Sequence, residues 1–282
     1  MMRRAQITST SIAPTSRSAT RRRRATLTLL LASLPLLAIV LIPLAALLLR
    51  VQPALLTQHL FEAQTRQAIA LSLTTTAMAT LLALLGGTPL AYLLARRSFR
   101  GRAALDTLID LPMVLPPSVA GIALLLAFGR RGLIGQYLVA QGIEIAFTPI
   151  AVVLAQLFVA APFYIKAAAA GFAAVDRELE QAAAIDGASP LRVFSAVTLP
   201  LAGPTVLGGL VMTWARALGE FGATIIFAGN FPGRTQTMPL AIYIGFELAF
   251  ERALTLALIL LACSFGVLLT VKRLLGQTLR PL

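Results

Sequence analysis

Long uncharged stretches alternate with short basic segments along this chain. Leu27–Leu49 and Gln67–Ala95 each contain no Asp, Glu, Lys or Arg. A helix needs about 20 apolar residues to cross the hydrocarbon core of a membrane, because each residue rises about 1.5 Å. A buried helix of a soluble protein usually has an apolar run of only about 10–14 residues. Both stretches exceed that length, so the pattern indicates membrane-spanning helices.

Applied to the whole chain, this pattern predicts an all-α, polytopic membrane protein with six transmembrane helices. The predicted spans are residues 27–49, 68–95, 109–128, 149–170, 201–228 and 253–272. They form one transmembrane domain, residues 27–275, between a basic, disordered tail at 1–26 and a C-terminal tail at 276–282. A basic tail before an apolar run also fits a signal peptide, but this run is longer than the usual length of about 7–15 residues. We therefore expect the first span to be retained.

Charge is scarce and unevenly distributed. Only 12% of the 282 residues are charged and 58% are hydrophobic, whereas soluble domains carry about 25% charged residues. The 24 Lys and Arg residues lie mostly beside apolar runs, which indicates membrane topology rather than nucleic-acid binding. Sixteen of them fall in the N-terminal tail, the 96–108 and 171–200 loops and the C-terminus, and six in the other connections. This bias predicts that both termini are cytoplasmic.

The sequence offers no recognisable metal or catalytic motif. Cys263 is the only cysteine and His59 the only histidine, so neither an internal disulfide nor a Cys/His metal cluster is available. There is also no Gly-x-x-x-x-Gly-Lys-Ser/Thr loop to hold nucleotide phosphates. We expect no cofactor and no enzyme activity, and any ATP-driven step has to come from a partner chain.

Prolines interrupt the start of the third predicted span. The run 111–117 contains Pro112, Pro116 and Pro117, and proline removes a backbone donor and clashes with the preceding helical turn. We expect a kink or a partly unwound segment there. Irregular backbone at membrane depth is tolerated where it faces protein or a water-filled cavity, so this segment is either a plain helix start or part of a pathway.

Residues 176–190 predict a short exposed helix in the 171–200 loop. Asp176 can cap the first N–H groups, and Glu178 and Glu180 lie near the positive end of the helix dipole. Gly187 is a natural C-terminal stop, with Pro190 after it. One side of this helix carries small or apolar positions at helical spacing, namely Leu179, Ala182, Ala183 and Asp186. Such a surface suits docking into another protein's groove rather than catalysis, although a plain cytoplasmic loop remains an alternative.

Arg216 and Glu220 are the only oppositely charged pair inside a predicted span. A charge at the centre of a bilayer costs about 2.5–3.5 kcal/mol on insertion scales, so such residues usually face the bundle interior or a cavity. Their i, i+4 spacing allows them to pair on one helix face. The pair is either a buried link that fixes helix packing or an electrostatic element of a pathway or gate.

The 171–200 loop also carries a family resemblance. Glu180-Gln181-Ala182-Ala183, Gly187 and Leu199-Pro200 resemble the EAA motif of binding-protein-dependent ABC importer permeases. The resemblance implies a type I importer permease bundle and a coupling helix, centred on Glu180, Gln181, Ala182, Ala183 and Gly187, that docks on an ATPase subunit. Gln181 stands where the motif usually has Glu, which removes a salt bridge at that position but keeps hydrogen-bonding capacity.

A second resemblance concerns the transported substrate. Arg216-Ala217-Leu218-Gly219-Glu220 is similar to a core shared by molybdate and sulfate permeases, and the later run Pro232-Gly233-Arg234-Thr235-Gln236-Thr237 favours the molybdate permeases. The resemblance covers about residues 60–275. It implies an oxyanion pathway with a gate near Gly219 and the Arg216–Glu220 pair. Ser118, Thr213, Thr224 and Arg216 are then candidate donors to a tetrahedral dianion, although a Ser or Thr in a membrane helix more often bonds its own backbone.

These resemblances imply a homodimer in the lipid of a bacterial inner membrane, with cytoplasmic ATP-binding subunits and a periplasmic or lipid-anchored oxyanion-binding protein. A sulfate or tungstate permease of the same architecture is one alternative. An ion-coupled secondary transporter is another, although such proteins often contain inverted repeats and this sequence has no clear repeat. A purely structural membrane anchor is disfavoured by the short cytoplasmic helix.

Overall fold

The computed structural model describes the backbone of residues 16–278 and the side chains of residues 29–54 and 56–273. Every regular element in that range is a helix. The helices are α1 (Ser16–Arg50), α2 (Pro53–Leu60), α3 (Ala63–Arg96), α4 (Arg102–Val114), α5 (Pro117–Phe128), α6 (Gly135–Ala140), α7 (Pro149–Ala174), α8 (Arg177–Ile185), α9 (Pro190–Val193), α10 (Leu199–Leu218), α11 (Gly222–Phe227), α12 (Met238–Leu248) and α13 (Phe250–Thr278). A short π-helical turn, Phe194–Thr198, joins α9 to α10.

The all-α prediction is confirmed, and five helical segments are long and apolar enough to cross a membrane. They are Leu29–Arg50, Ala63–Arg96, Pro149–Ala174, Pro190–Leu218 and Phe250–Arg273. A sixth span is available only if α4 and α5 count together, because the two helices are bent by 116° at the break between them. The short helices α2, α6 and α12 are not predicted by the sequence pattern.

The first helix forms a compact unit of its own, separate from the unit that contains α2–α13. It begins at Ser16, so residues 16–26 are helical where the sequence predicts a disordered tail. The reason is local, since Arg and Ala favour the helix and continue it ahead of the apolar run. The remainder of the predicted tail, residues 1–15, lies outside the described residues. At the other end α13 runs to Thr278, into the predicted C-terminal tail.

Helices α3, α7 and α10 form the centre of the second unit through close backbone approaches. Tyr164 and Phe172 of α7 are fully buried, with Ala91 of α3 and Ala202 of α10 in the same apolar cluster. Small residues allow the approach: a Cβ added to Gly87 would lie 2.8 Å from a ring carbon of Tyr164. One added to Gly209 would lie 2.5 Å from the Cβ of Ala167, and one added to Gly171 would lie 3.0 Å from Cβ of Thr205. Larger residues at these three crossings would push the helices apart.

The third predicted span, 109–128, is not a straight helix. Helix α4 ends at Val114, and Leu115 and Pro116 take extended backbone angles before α5 begins at Pro117. The predicted kink is therefore confirmed, but it is a complete break. Ion pairs tie α4 to α7, because Nζ of Lys166 lies 2.7 Å from Oδ1 of Asp106 and 2.8 Å from Oδ2 of Asp110.

The fifth predicted span, 201–228, is also broken. Helix α10 ends at Leu218, and α11 starts again at Gly222 after a turn. The sequence predicts that Arg216 and Glu220 share one continuous helix. That prediction is wrong, because the helix ends between them. A carboxylate oxygen of Glu220 accepts a hydrogen bond from the backbone N–H of Ala223 at 2.9 Å. This contact satisfies a free donor at the start of α11 and stabilises the interruption.

Polar contacts mark the two ends of the second unit. At one end, Arg96 at the close of α3 contacts Val175 after α7, and Glu180 of α8 contacts Thr198 before α10. At the other end, Nε of Arg252 lies 2.6 Å from Oε2 of Glu62. The helix α8 therefore lies at the end of the bundle where α3 and α7 finish and α10 begins.

Candidate functional site

The short helix predicted in the 171–200 loop is α8, and both of its ends are built as the sequence indicates. The side chain of Asp176 accepts a hydrogen bond from the N–H of Glu178 at 2.9 Å and caps the first turn. At the other end Gly187 has φ of +86°, and the N–H of Ala188 donates to the carbonyl of Ala183. This left-handed turn is a common helix ending that favours glycine.

Helix α8 is exposed over most of its length. None of its residues is buried, and Ile185 is 86% exposed, with Leu191 just beyond it 77% exposed. Of the predicted docking side, Leu179, Ala182 and Asp186 are exposed and Ala183 is partly covered. Ile185 is an exposed apolar side chain outside the candidate spans, as expected where another protein binds, whereas Leu191 belongs to the candidate span Pro190–Leu218. The helical spacing in the sequence does not single out Ile185 and Leu191.

Glu180 does not belong to the exposed docking side of α8, because its side chain contacts residues of the bundle. Its Oε1 accepts from Nη2 of Arg96 at 2.9 Å and from the hydroxyl of Thr198. The same Nη2 donates to the carbonyl of Val175 at 2.9 Å. The Arg96 side chain is only 7% exposed and that of Glu180 15%. Glu180 therefore fixes α8 to the ends of neighbouring helices, while Gln181 remains exposed.

This anchoring predicts that Glu180→Ala lowers the stability of the protein. The substitution leaves the enclosed Arg96 guanidinium without its carboxylate, and a hydrogen bond to a charged group contributes about 1.5–3 kcal/mol. We expect a lower thermal unfolding midpoint in detergent. Glu178→Ala is the matched control, because Glu178 is an exposed glutamate of the same helix and should unfold at the wild-type temperature. Equal midpoints for both variants would contradict the anchoring role.

The Arg216–Glu220 pair is present, with Nη1 of Arg216 2.8 Å from Oε2 of Glu220. Its two members differ in burial, since the Glu220 side chain is 1% exposed and the Arg216 side chain 30%. Glu220 is thus held from two sides, by Arg216 and by the N–H of Ala223. Gly219 lies at the end of α10, in the turn that separates the pair.

An apolar cleft lies beside this pair. It has a volume of about 460 Å³ and is lined by Gly219, Phe221, Tyr243 and Phe246, among others. The rings of Phe221 and Tyr243 lie 4.9 Å apart, and Phe246 is 68% exposed. This aromatic surface is suited to contact with another apolar surface.

The three hydroxyl residues proposed as pathway donors lie in different environments. Ser118 is exposed at the start of α5, whereas Thr213 and Thr224 are buried. Within the described part of the chain, the hydroxyls of Thr213 and Thr224 have no hydrogen-bond partner, so they do not bond their own helix backbone. The start of α5 contacts the start of α11, because a Cβ on Gly222 would lie 2.7 Å from Pro117. Ser118 therefore lies near the turn that carries Glu220.

A charged cluster occupies the end of the bundle that lies away from α8. Nδ1 of His59 lies 2.6 Å from Oε1 of Glu62, and Nη1 of Arg252 donates to Gln64 at 2.6 Å. The hydrogen bond with His59 holds the pKa of the Glu62 carboxyl below its ordinary value, and Arg252 lowers this pKa further. Because a carboxyl with a lowered pKa stabilises the fold only while ionised, this contribution is lost in acid.

No cluster of His, Cys, Asp and Glu side chains suitable for a metal occurs in the part of the chain that the structure describes. The geometry thus offers an exposed helix held by a buried ion pair, and a second ion pair at a broken span. Both are suited to binding and movement rather than to bond-making chemistry.

Comparison with known proteins places these features in context. The family described as "Binding-protein-dependent transport system inner membrane component" matches residues 87–275. The molybdenum transport system permease protein of Mycobacterium tuberculosis is 44% identical over 229 residues, covering 81% of this chain and 87% of that protein. The molybdate/tungstate transport system permease protein of Thermococcus kodakarensis is 38% identical over 244 residues, covering 86% and 92%.

Solved structures support the same fold at lower sequence identity. A bacterial ABC transporter involved in the import of the acidic polysaccharide alginate has a chain that is 16% identical, with a TM-score of 0.70 and coverage of 93% of this chain and 99% of that one. A chain of the MetNI methionine ABC transporter, in an inward-facing conformation, is also 16% identical, with a TM-score of 0.54 and coverage of 76% and 94%.

Proposed function

The chain belongs to the family of binding-protein-dependent transport system inner membrane components, and we propose that it is the permease subunit of an ATP-driven molybdate importer. Membership makes it a transport component of the membrane rather than an enzyme. The assignment of molybdate as the substrate rests on the similarity to molybdenum permeases across most of both chains. Tungstate is the second candidate, because one relative is described as a molybdate/tungstate permease.

We place both termini in the cytoplasm of a bacterial cell and α8 on the cytoplasmic side. The charge bias of the connections supports this orientation, since Arg96, Arg97, Arg100 and Arg102 lie in the connection next to α8. An ATPase subunit then docks on the exposed side of α8, where Leu179, Ala182 and Ile185 are accessible. The Glu180 anchor transmits the movement of α8 to the ends of α3, α7 and α10.

The pathway lies between two copies of the chain in this proposal. Within the residues that the structure describes, one copy has at most six spans, which are few for a complete pathway. The aromatic cleft beside Gly219 offers a surface for a second copy. Arg216 lies three residues before Gly219 of that cleft and has 30% of its side chain exposed, so its charge can attract a dianion. An external oxyanion-binding protein delivers the substrate, and the Arg216–Glu220 pair lies at the pathway.

Reconstitution tests the function directly. The permease is placed in liposomes with its ATPase subunit and binding protein, and uptake of radiolabelled molybdate is measured with and without enclosed ATP. We expect uptake that requires both ATP and the ATPase, and competition by unlabelled tungstate but not by sulfate. Uptake that persists without the ATPase subunit would point to a secondary transporter. Stronger competition by sulfate than by molybdate would instead assign the chain to sulfate import.

A further inference from the structure

A basic cleft separates the end of α3 from the inner side of α8. It has a volume of about 250 Å³ and is lined by Tyr92, Arg96, Arg97, Arg177, Glu180 and Gln181, among others. We propose that this cleft binds the phosphate headgroup of an anionic lipid from the cytoplasmic leaflet. The inference rests on the cytoplasmic orientation of α8 given in the proposed function, and it names a ligand of the permease other than its transported substrate.

The charge of the cleft favours an anion. Three guanidinium groups face one carboxylate, and Glu180 is already engaged by Arg96 and Thr198. Among the described residues, Arg97 and Arg177 form no ion pair, and Nε of the 7% exposed Arg96 has no hydrogen-bond acceptor. Planar guanidinium groups bind phosphate oxygens through paired N–H donors. The two unpaired arginines, beside the enclosed Arg96, therefore form a positively charged site that suits a phosphate.

The depth of the cleft favours a lipid over a soluble anion. Arg96 is the last residue of α3 and the first charged residue after the uncharged run Gln67–Ala95, a position typical of arginines at the level of the headgroups. Tyr92 lies one turn earlier, and tyrosine is enriched at this interfacial level. Basic pockets between membrane helices on the cytoplasmic side are known to bind anionic headgroups. The lipid phosphate is thus present at this site without diffusing to it from solution.

The arrangement of α8 favours a lipid over an acidic side chain of the ATPase. At 3.6 residues per turn, Arg177, Gln181 and Ala184 lie on one side of the helix, and all three line the cleft. Leu179, Ala182 and Asp186 lie on the opposite side and are exposed. The ATPase can therefore dock on the outer side of α8 while a headgroup occupies the inner side. Bound lipid then contacts the side of α8 that faces the bundle and stabilises the position of this helix.

The test compares two pairs of arginines in the same region. Arg97→Gln with Arg177→Gln removes two charges from the cleft, and Arg100→Gln with Arg102→Gln removes two exposed charges from the same cytoplasmic side, outside the cleft lining. Each permease, in complex with its ATPase, is extracted from nanodiscs of phosphatidylcholine and phosphatidylglycerol. Native mass spectrometry then counts the phosphatidylglycerol that stays bound. We expect about a thirtyfold loss for the cleft variant, the order that two arginine contacts with an anionic headgroup give, and wild-type retention for the control.

Three outcomes would overturn the proposal. Equal retention in both variants would mean that the cleft does not select lipid. Displacement of the phospholipid by millimolar inorganic phosphate would assign the site to a soluble anion. Loss of the ATPase from the cleft variant, with lipid retention unchanged, would assign the cleft to an acidic group of that partner. Lipid retention is measured without substrate, so a failure of molybdate uptake would refute the proposed function and leave this result standing.

Discussion

Replacement of Gly187 by valine is expected to lower molybdate uptake by about tenfold or more. Gly187 ends α8 with φ of +86°, a conformation that costs other residues about 1–2 kcal/mol and β-branched residues more. The strain is relieved when the turn opens, which breaks the hydrogen bond from Ala188 to Ala183 and misplaces the end of α8. We expect the ATPase to be lost on co-purification while the amount of permease in the membrane stays unchanged.

Gly142→Val is the matched control for this experiment. Gly142 has φ of +78° and, like Gly187, open space where a side-chain carbon would lie. It ends α6 with the same hydrogen-bond pattern, in which the N–H of Ile143 donates to the carbonyl of Leu138. The control therefore carries equal backbone strain away from α8 and should retain uptake and ATPase binding. Wild-type uptake by the Gly187 variant would remove α8 from the coupling mechanism.

The second large effect concerns the unequal burial of the Arg216–Glu220 pair. Arg216→Gln leaves a carboxylate that is 1% exposed with the single N–H of Ala223, and breaking a buried ion pair in this way costs about 3–5 kcal/mol. Glu220→Gln leaves an arginine that is less deeply buried, with 30% of its side chain exposed, and the amide oxygen still accepts from Ala223. We therefore expect Arg216→Gln to lower the thermal unfolding midpoint much more than Glu220→Gln. An equal loss in the two variants would contradict this asymmetry.

The double variant separates the two roles that the sequence leaves open for this pair. Removing both charges in Arg216→Gln with Glu220→Gln eliminates the stranded carboxylate, so stability should recover relative to Arg216→Gln alone. If the pair only fixes helix packing, molybdate uptake recovers with the stability. If Arg216 attracts the dianion, as proposed, uptake stays low in a stable protein. Uptake and thermal unfolding measured on the same preparations distinguish these results.

Local chemistry is readable from the sequence where it depends on neighbouring residues. The ends of α8 are predictable because capping by Asp176 and the left-handed turn at Gly187 involve residues within one or two turns. The break before α5 is predictable as a kink for the same reason, since proline acts on its own helix. The angle of 116° is not predictable, because it depends on how α4 and α5 pack against α7.

Features that join distant residues are not predictable from one sequence. The link from Arg96 to Glu180 joins positions 84 apart, and nothing in the spacing of either segment indicates it. The position of Lys166 near a span end indicates an interfacial side chain, but it pairs with Asp106 and Asp110 on α4. Arg216 and Glu220 are correctly paired by their spacing, yet the helix between them ends at Leu218. The carboxylate of Glu220 contacts the N–H of Ala223 three residues later, a local contact that stabilises the break.

The close helix contacts at three glycines in the centre of the bundle limit where this permease can change shape during transport. Because side chains of the neighbouring helices pack directly on Gly87, Gly171 and Gly209, helices α3, α7 and α10 have little free volume in which to slide past one another. In the proposed dimer each copy should therefore rotate as a rigid body, and opening and closing should be confined to the boundary between the two copies. Spin labels on α3 and α10 of one copy should then keep a constant separation through the ATP cycle, while labels on different copies should not.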